Sequence, residues 1–461
     1  MKIKIFKPAA LLSLVLLFFA CSKENDSTLN QELQEKTLFT SENTNFVSMT
    51  KANDVAAVFF DQLMNDQLTK SNARLASTET IRDRKNNEPL MYVVNFDSGG
   101  FVIVSATKKY FPILAYSDEN NFVFADDMPL GIIIWLDEAK AAINYQINEA
   151  ADVDTKAYFA AWKQYEEANI GLNRMQTKTP GMYDFVMPEV NYWYGQGYSI
   201  AVPGYGGPQE ICDQWAIYAE GSVYPLYDYL QCALVVSKYI ESATYKGPLL
   251  STQRYQTSPF NYLCNSHPTG CVPVAMGQIM KYYAYPSGFN WSNMPDTDEL
   301  TSQTLSSTPA LLRNIGDALG LDYVNGDVNA TIDEAKTAFQ SSYYYTVTKS
   351  AHNYTDVRNY INSNKPVYMR GAETSGGSGH AWVCDGYNSY TWNTQYYLRV
   401  PTSFEQYSTI QSHQADQGVL DMYHMNWGWG GLNDGWFSAS SIAIPGDSNY
   451  QYDRFNLYVT Y

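Results

Sequence analysis

The sequence predicts an α+β chain in two parts, a small helix–sheet–helix module followed by a larger domain with helices first and strands last. Three observations predict it. Val55, Ala56, Val58, Phe59 and Leu63 fall on one face of a helix of about five turns, and a hairpin pattern follows them. Val272, Ala275, Met276 and Ile279 recur at helical spacing behind Pro273, which is tolerated only in a first turn. The last third of the chain reads as strands punctuated by Gly and Trp.

The elements follow in order. Residues 46–150 begin with the Val55 helix, and residues 70–88 are polar. Met91–Phe96 and Phe101–Ala106 read as strands around the turn Asp97-Ser98-Gly99-Gly100. Pro112–Tyr116 and Asn121–Phe124 read as a second hairpin, and Ile132–Ile147 as an amphipathic helix behind Pro129. This module holds neither Cys nor His and carries no evident chemistry. Residues 151–185 include the polar run Asn173–Pro180, a plausible linker and cutting site. Residues 186–245 are rich in Tyr and Gly and ambiguous between helix and strand. The domain 186–461 then carries helices at Cys271, Ala310–Leu319 and Ile332–Phe339. Strands are expected at Tyr343–Thr348, Pro366–Met369, His380 onward and Phe455–Tyr461.

Composition narrows the class. Hydrophobic residues make up 45% of the 461 residues and charged residues 17%, which describes a globular chain. A formal net charge of −17 argues against non-specific nucleic-acid binding. At the start, Lys2, Lys4 and Lys7 precede an apolar run from Ala9 to Ala20, with Cys21 next. Residues 1–20 therefore read as a secretory signal, too short to span a membrane. Phe18-Phe19-Ala20-Cys21 resembles a loose lipobox, which implies a lipid on Cys21, a polar tether over residues 21–45 and an outer-membrane or cell-surface protein. The plainer alternative is an ordinary signal with an incidental Cys.

Beyond Cys21 the cysteines are Cys212, Cys232, Cys264, Cys271 and Cys384, an odd number in an oxidising compartment, so at least one thiol stays free. Cys271 is the one expected to do so. There is no CxxC and only five His, so neither a metal nor another cofactor is expected.

Cys271 lies at a helix N-terminus, where exposed N–H groups and the macrodipole favour a thiolate. A thiolate nucleophile needs an imidazole within reach. His267 is too close in the same loop, and His352 and His413 sit in polar loops. His424 would share a strand face with Asn426. His380 stands at a loop–strand junction behind glycines that let a substrate backbone approach, and is the best base. Asn426 could accept from its ring N–H and hold it, with Trp427 and Trp429 covering that contact. The backbone N–H of Cys271 and the side chain of Gln256 could serve an oxyanion.

The order Gln256, Cys271, His380, Asn426 is that of papain-like cysteine proteases. Residues from about Pro248 to Trp436 resemble the streptopain family of bacterial secreted cysteine peptidases. The resemblance rests on Gln256-x-x-Pro259-Phe260-Asn261; Thr269-Gly270-Cys271-Val272 running to Gln278-Ile279-Met280-Lys281-Tyr282; Lys365-Pro366-Val367-Tyr368; Gly379-His380-Ala381-x-Val383-x-Asp385-Gly386; and His424-x-Asn426-Trp427-Gly428-Trp429-Gly430-Gly431. It implies a papain-like, two-lobed catalytic domain in which Cys271 is the nucleophile and His380 the base. It also implies that Gln256 serves the oxyanion, and that Asn426 with Trp427 orients the His. Gly379, Trp427 and Trp429 would line the substrate cleft. Residues 46–150 resemble the family's inhibitory pro-domain, which implies a zymogen whose partners are peptide substrates and its own pro-domain.

Three departures stand out. Residues 387–423 look like an insertion beside the site, residues 186–245 have no family counterpart, and Tyr323–Asn329 lacks the usual Gly/Ser-rich cleft loop. The expected function is a lipid-anchored cysteine endopeptidase. The alternatives are a catalytically silent binding module for peptides or glycans on the same fold, and a transferase that joins peptides by the same acyl chemistry.

Overall fold

The computed structural model describes residues 45–65, 74–125, 128–150, 156–163, 165, 180–196, 198–201, 209–220, 233–297, 307–372, 379–403, 406–439 and 452–461. The signal, the lipobox, the tether up to residue 44, the run from Asn173 to Thr179, and the Ser375–Ser378 loop lie outside the described residues. Among the described residues, no helix is long and apolar enough to cross a membrane.

The N-terminal module is a four-stranded antiparallel sheet with a helix on each face. Helix α1 (Met49–Asn65) precedes β1 (Leu75–Arg82), β2 (Pro89–Phe96), β3 (Phe101–Ser105) and β4 (Ile113–Ser117). Every residue of β2 is buried, because both faces of the sheet are covered. Tyr92, Val94, Val102 and Val104 pack under Val55, Ala56 and Phe60 of α1. The alternate residues Met91, Val93, Phe101 and Ile103 pack under helix α2 (Leu130–Asn148), through Ile132, Trp135, Leu136 and Ile143. Residues 75–82, part of the stretch that sequence marked only as polar, form an edge strand. It is largely exposed, so it has no apolar face for the sequence to display. Asn121–Phe124 is not a strand; it crosses to another loop (below).

Residues 156–163, placed in a linker by sequence, form helix α3 (Lys156–Lys163), with Trp162 fully buried and donating to the Tyr110 carbonyl at 2.8 Å. Helix α4 (Pro180–Gly195) begins inside the same stretch. The ambiguous region resolves into β5 (Ser199–Ala201), helix α5 (Gln209–Glu220) and β6 (Leu234–Lys246).

Next come helix α6 (Cys271–Tyr283), helix α7 (Thr308–Leu319), helix α8 (Ile332–Thr337), β7 (Thr346–Ala351) and helix α9 (Tyr354–Asn362). The strands β8 (Val367–Ala372), β9 (Gly379–Ser403), β10 (Gln406–Asn426), β11 (Gly435–Ser438) and β12 (Tyr452–Thr460) complete the chain. Val272, Ala275, Met276 and Ile279 of α6 pack on Leu311 and Ile315 of α7 and on Tyr368, Ala381 and Val383 of the sheet. The fold is thus α+β, with a helical side carrying Cys271 and a sheet side carrying His380.

Two long-range pairings set the architecture. The described strands form one sheet in the order β1-β2-β3-β4-β11-β10-β9-β8-β12-β7, in which β4 of the N-terminal module pairs with β11 of the C-terminal domain. The Glu138–Arg454 ion pair (2.6 Å) and the bond from Trp135 Nε1 to the Ser438 carbonyl (3.1 Å) reinforce this seam. Secondly, β6 pairs with β9 from Leu234↔Arg399 to Lys246↔Tyr387, continuing the edge that β8 occupies at Gly379–Cys384. The segments 186–245 and 387–423 therefore pair with one another in one accessory sheet. Its own small cores form around Val186, Val190, Leu234 and Val236, and around Ile211, Val235, Leu398 and Val400.

Candidate active site

Helix α6 begins at Cys271 because Gly270 and Pro273 bracket its start. Gly270 has φ +91°, and a Cβ there would sit 2.8 Å from the Val328 carbonyl. Only glycine suits that turn. The thiol is half-buried at the tip, while Cys264 and Cys384 are buried free thiols whose pKa values burial pushes up.

Strand β9 opens at Gly379 and presents His380 to Cys271. Burial opposes charge on both groups. Against it, the Cys271 Sγ hydrogen-bonds the His380 ring and the backbone N–H groups of Ala381 and of Cys271 itself, and the thiol pKa falls below its ordinary value. His380 is buried too, yet the thiol and the Trp427 carbonyl raise its pKa above that of free imidazole. The Nε2 atom lies 3.0 Å from the Trp427 carbonyl. A carbonyl only accepts, so Nε2 carries a proton and Nδ1 is left with the lone pair for the thiol. Both shifts favour the charged forms, thiolate on Cys271 and imidazolium on His380.

The other sequence-expected residues are placed as follows. Asn426 does not touch the His380 ring. Its Nδ2 donates to the Thr252 carbonyl (2.7 Å), and its Oδ1 accepts from Gln278 Nε2 (2.9 Å) and the Gly428 N–H (3.2 Å). The contact expected of the Asn side chain is made by the next residue's main chain. Gln256 is tied to the Cys271 loop, its carbonyl accepting from the Thr269 N–H at 2.8 Å. With Tyr255, Pro268, Trp429, Gly430 and Leu432 it lines a cavity of about 590 Å³. Trp429 therefore faces open space. Trp427 does not: its indole is buried against Trp382 and Phe437, donates to the Asn433 carbonyl (3.0 Å), and cannot line a cleft. Gly379 is tightly fitted, since a Cβ would meet the Gly371 carbonyl at 2.7 Å.

His424 is held apart, its Nδ1 2.6 Å from buried Asp385. His352 is half-buried, with its pKa pushed down to about 3, first by desolvation and then by Arg454. Neither can act as a base on Cys271. Among the described residues, no group of three or more His, Cys, Asp or Glu could hold a metal ion.

The residues that sequence reasoning missed are Ala381, Gln278, Thr252 and Asp434. Gln278 had a signal: it is a polar residue on the apolar side of the Cys271 helix. Asp434 accepts the Trp427 N–H at 2.8 Å, and burial raises its carboxyl pKa to about 7, with His424 opposing and Asp385 and Glu119 adding to the rise. A carboxyl whose folded pKa exceeds its unfolded value lends stability at low pH and loses it as pH rises through the folded value. The melting temperature should therefore fall as pH rises from the ordinary carboxyl value of 3.8 to about 7, and level off above it. Asp434→Asn, which keeps an acceptor for Trp427 without the charge, should flatten that fall in a differential scanning measurement; parallel curves would contradict the assignment.

The N-terminal module reaches this site. Gly131 of α2 lies against Trp427, where a Cβ would come within 2.5 Å of the ring. Asn120 Nδ2 donates to the Gly431 carbonyl (3.1 Å), and Val123 exchanges two bonds with the Asn433 side chain (2.7 and 3.0 Å).

Both parts of the chain are similar to known proteins. Residues 255–289 and 287–437 match the Peptidase C10 family, and residues 44–143 match the Spi protease inhibitor family. The chain is 26% identical over 258 residues to the thiol protease/hemagglutinin PrtT of Porphyromonas gingivalis, covering 45% of this chain and 25% of that protein. It is 22% identical over 396 residues to streptopain of Streptococcus pyogenes, covering 76% and 74%. The structure of Prevotella intermedia prointerpain A aligns with a TM-score of 0.44 and 16% identity, over 83% of this chain and 98% of that one. A peptidase C10 match over the Cys271–His380 region, behind an inhibitor-type module, makes this chain a streptopain-like cysteine peptidase with an N-terminal pro-domain.

Proposed function

We propose that Cys271 and His380 are the catalytic pair of this peptidase, that Gln256 serves the oxyanion, and that residues 46–150 restrain the site until a cut in residues 151–185. The observation that carries the assignment is the single contact set on the Cys271 Sγ: the His380 ring and two backbone N–H groups, with the far ring nitrogen held by Trp427.

The thiolate attacks the scissile carbonyl carbon, and the oxygen takes the negative charge facing the Cys271 N–H and Gln256. Imidazolium His380 gives its Nδ1 proton to the leaving amine as the C–N bond breaks, leaving a thioester. Water attacks the thioester as Nδ1 takes its proton, and the acid product departs with the thiolate restored. Release by an amine instead of water would join peptides through the same thioester. Trp427 contributes its carbonyl, while Trp429 and the adjoining cavity offer a place for substrate. The bonds between Asn120, Val123 and the 431–433 loop support a pro-domain role in restraining this rim.

We also propose secretion and a lipid on Cys21, on the sequence of residues 1–26. A mass shift corresponding to acyl chains on a peptide beginning at Cys21 would support it; an intact residue 20–21 bond would sink it.

The test of the active site is labelling by a thiol-directed epoxide, with the rate of Cys271 alkylation followed against pH. The lowered thiol pKa and raised imidazole pKa both favour the ion pair. Reactivity and hydrolysis should therefore begin below the ordinary thiol range, and hydrolysis should fall only as His380 loses its proton above the ordinary imidazole range. A single rise near the ordinary thiol value would refute the pair.

A further inference from the structure

We propose that Gln278 is a positioning residue of the peptidase site, fastening the Cys271 helix to the peptide group that aims His380. The proposal rests on the Cys271–His380 assignment above.

Gln278 lies two helical turns beyond Cys271, about 10 Å along α6. It is fully buried among Met276, Ile279 and Met280, where an unpaired amide would be costly. Both ends of the amide are used. Nε2 donates to Asn426 Oδ1 at 2.9 Å, and Oε1 accepts from the Thr252 hydroxyl at 3.0 Å and the Arg254 N–H at 3.4 Å. Asn426 Nδ2 returns to the Thr252 carbonyl at 2.7 Å, closing a ring of three side chains and one backbone group. The carbonyl partner of Nδ2 fixes which way the Asn426 amide faces.

The link to His380 is one planar peptide. The Trp427 carbonyl and the Gly428 N–H belong to the same trans amide and point in opposite directions. Asn426 Oδ1 holds the Gly428 N–H at 3.2 Å, so it sets the plane that aims the Trp427 oxygen at His380 Nε2. Gly428, at φ +71°, gives the backbone this turn, and Asp434 pins the Trp427 N–H on the other side. Gln278 steadies Asn426 Oδ1 from the helix that carries Cys271. Nucleophile and base are thereby referenced to one another through the protein rather than through their mutual contact alone. Misplacing reacting groups by about 1 Å can cost about a hundredfold in rate.

The experiment uses Gln278→Met, of similar length and without hydrogen bonds. Alkylation of Cys271 by iodoacetamide is followed against pH in the full chain by peptide mass spectrometry, and hydrolysis is followed after processing. The expected result is an acid limb of alkylation displaced by a pH unit or more toward the ordinary thiol value. A kcat about 10- to 100-fold lower, with KM within about twofold, should accompany it. Thr252→Val, which removes only the hydroxyl that Gln278 accepts from, should move both readouts the same way by less, and serves if Gln278→Met fails to fold. An unshifted pH limb and unchanged kcat in a folded variant overturn the proposal. So does a loss of activity that merely matches the loss of folded protein by circular dichroism. Cys271→Ala is run alongside: if it hydrolyses normally, the active-site assignment falls whatever Gln278→Met does.

Discussion

Cys271→Ala should abolish hydrolysis of a casein-like substrate and leave the chain at full length when it is incubated alone. Removing a covalent nucleophile leaves only substrate binding and oxyanion donors, a loss of about 10⁴-fold or more. Among the described residues, neither other free thiol can substitute. Cys264 and Cys384 are buried, and burial favours their protonated thiols. His380→Ala should cost about 10²- to 10⁴-fold, the usual worth of a positioned acid–base group. It should also return the Cys271 thiol toward its ordinary pKa, since the ring is the largest influence lowering it. The measurements are steady-state hydrolysis and the intact mass of the incubated chain. Cleavage of substrate by Cys271→Ala at the unsubstituted rate would dismantle the mechanism.

Glu138→Ala should destabilise the full chain by about 3–5 kcal/mol, the cost of leaving one member of a buried ion pair without its partner. Arg454 Nη1 meets Glu138 Oε1 at 2.6 Å, with the two side chains only 6% and 5% exposed. Its other contacts, the Tyr354 hydroxyl at 3.3 Å and the Tyr354 ring, are neutral and cannot replace a carboxylate. Glu138 belongs to the pro-domain helix α2 and Arg454 to β12, so the loss falls on the seam between pro-domain and peptidase. Urea unfolding in a Cys271→Ala background, where the chain stays whole, reads the effect. Glu138→Gln, which keeps an acceptor, should lose less. Equal unfolding midpoints for Glu138→Ala and its parent would mean that the seam does not depend on this pair. Once the pro-domain has dissociated, the peptidase made from either chain should be indistinguishable, because residue 138 is then absent and Arg454 is met by water.

The seam also changes how restraint and release are viewed. The pro-domain is a continuation of the peptidase sheet through β4 and β11, and its α2 shares a core with Trp382, Trp427 and Phe437. A cut in the linker alone leaves these contacts in place. The accessory sheet adds to them: Phe111 of the pro-domain packs edge-on against Trp392 at 5.8 Å, and the Tyr116 and Tyr390 hydroxyls bond at 3.1 Å. The insertion that the sequence set beside the active site thus extends toward the pro-domain.

How much of this was legible depended on the range of the interaction. The Cys271 helix and its first residue followed from local rules, since Pro273 and the apolar repeat act within a few residues of one another. His380 at a strand start was readable for the same reason. The strand at residues 75–82 was not, because an exposed edge strand has no apolar alternation. The orienting contact on His380 was expected of the Asn426 side chain with Trp427 beside it, and the main chain of Trp427 makes it. Asn426 offered a visible side chain, but the acceptor is the Trp427 carbonyl, and every residue has a carbonyl. The union of residues 186–245 with 387–423 was illegible because β6 meets β9 across more than a hundred residues of chain.

The sequence by itself determined the chemistry: a thiol at a helix tip, one well-placed imidazole, and a module without reactive groups ahead of them. Those are properties of residue type and local spacing. Tertiary structure alone decided the geometry: which main-chain oxygen holds His380, which buried amides hold that oxygen, and which strand joins pro-domain to peptidase. Backbone groups and long-range pairings set these, and they become specific only when distant segments pack together.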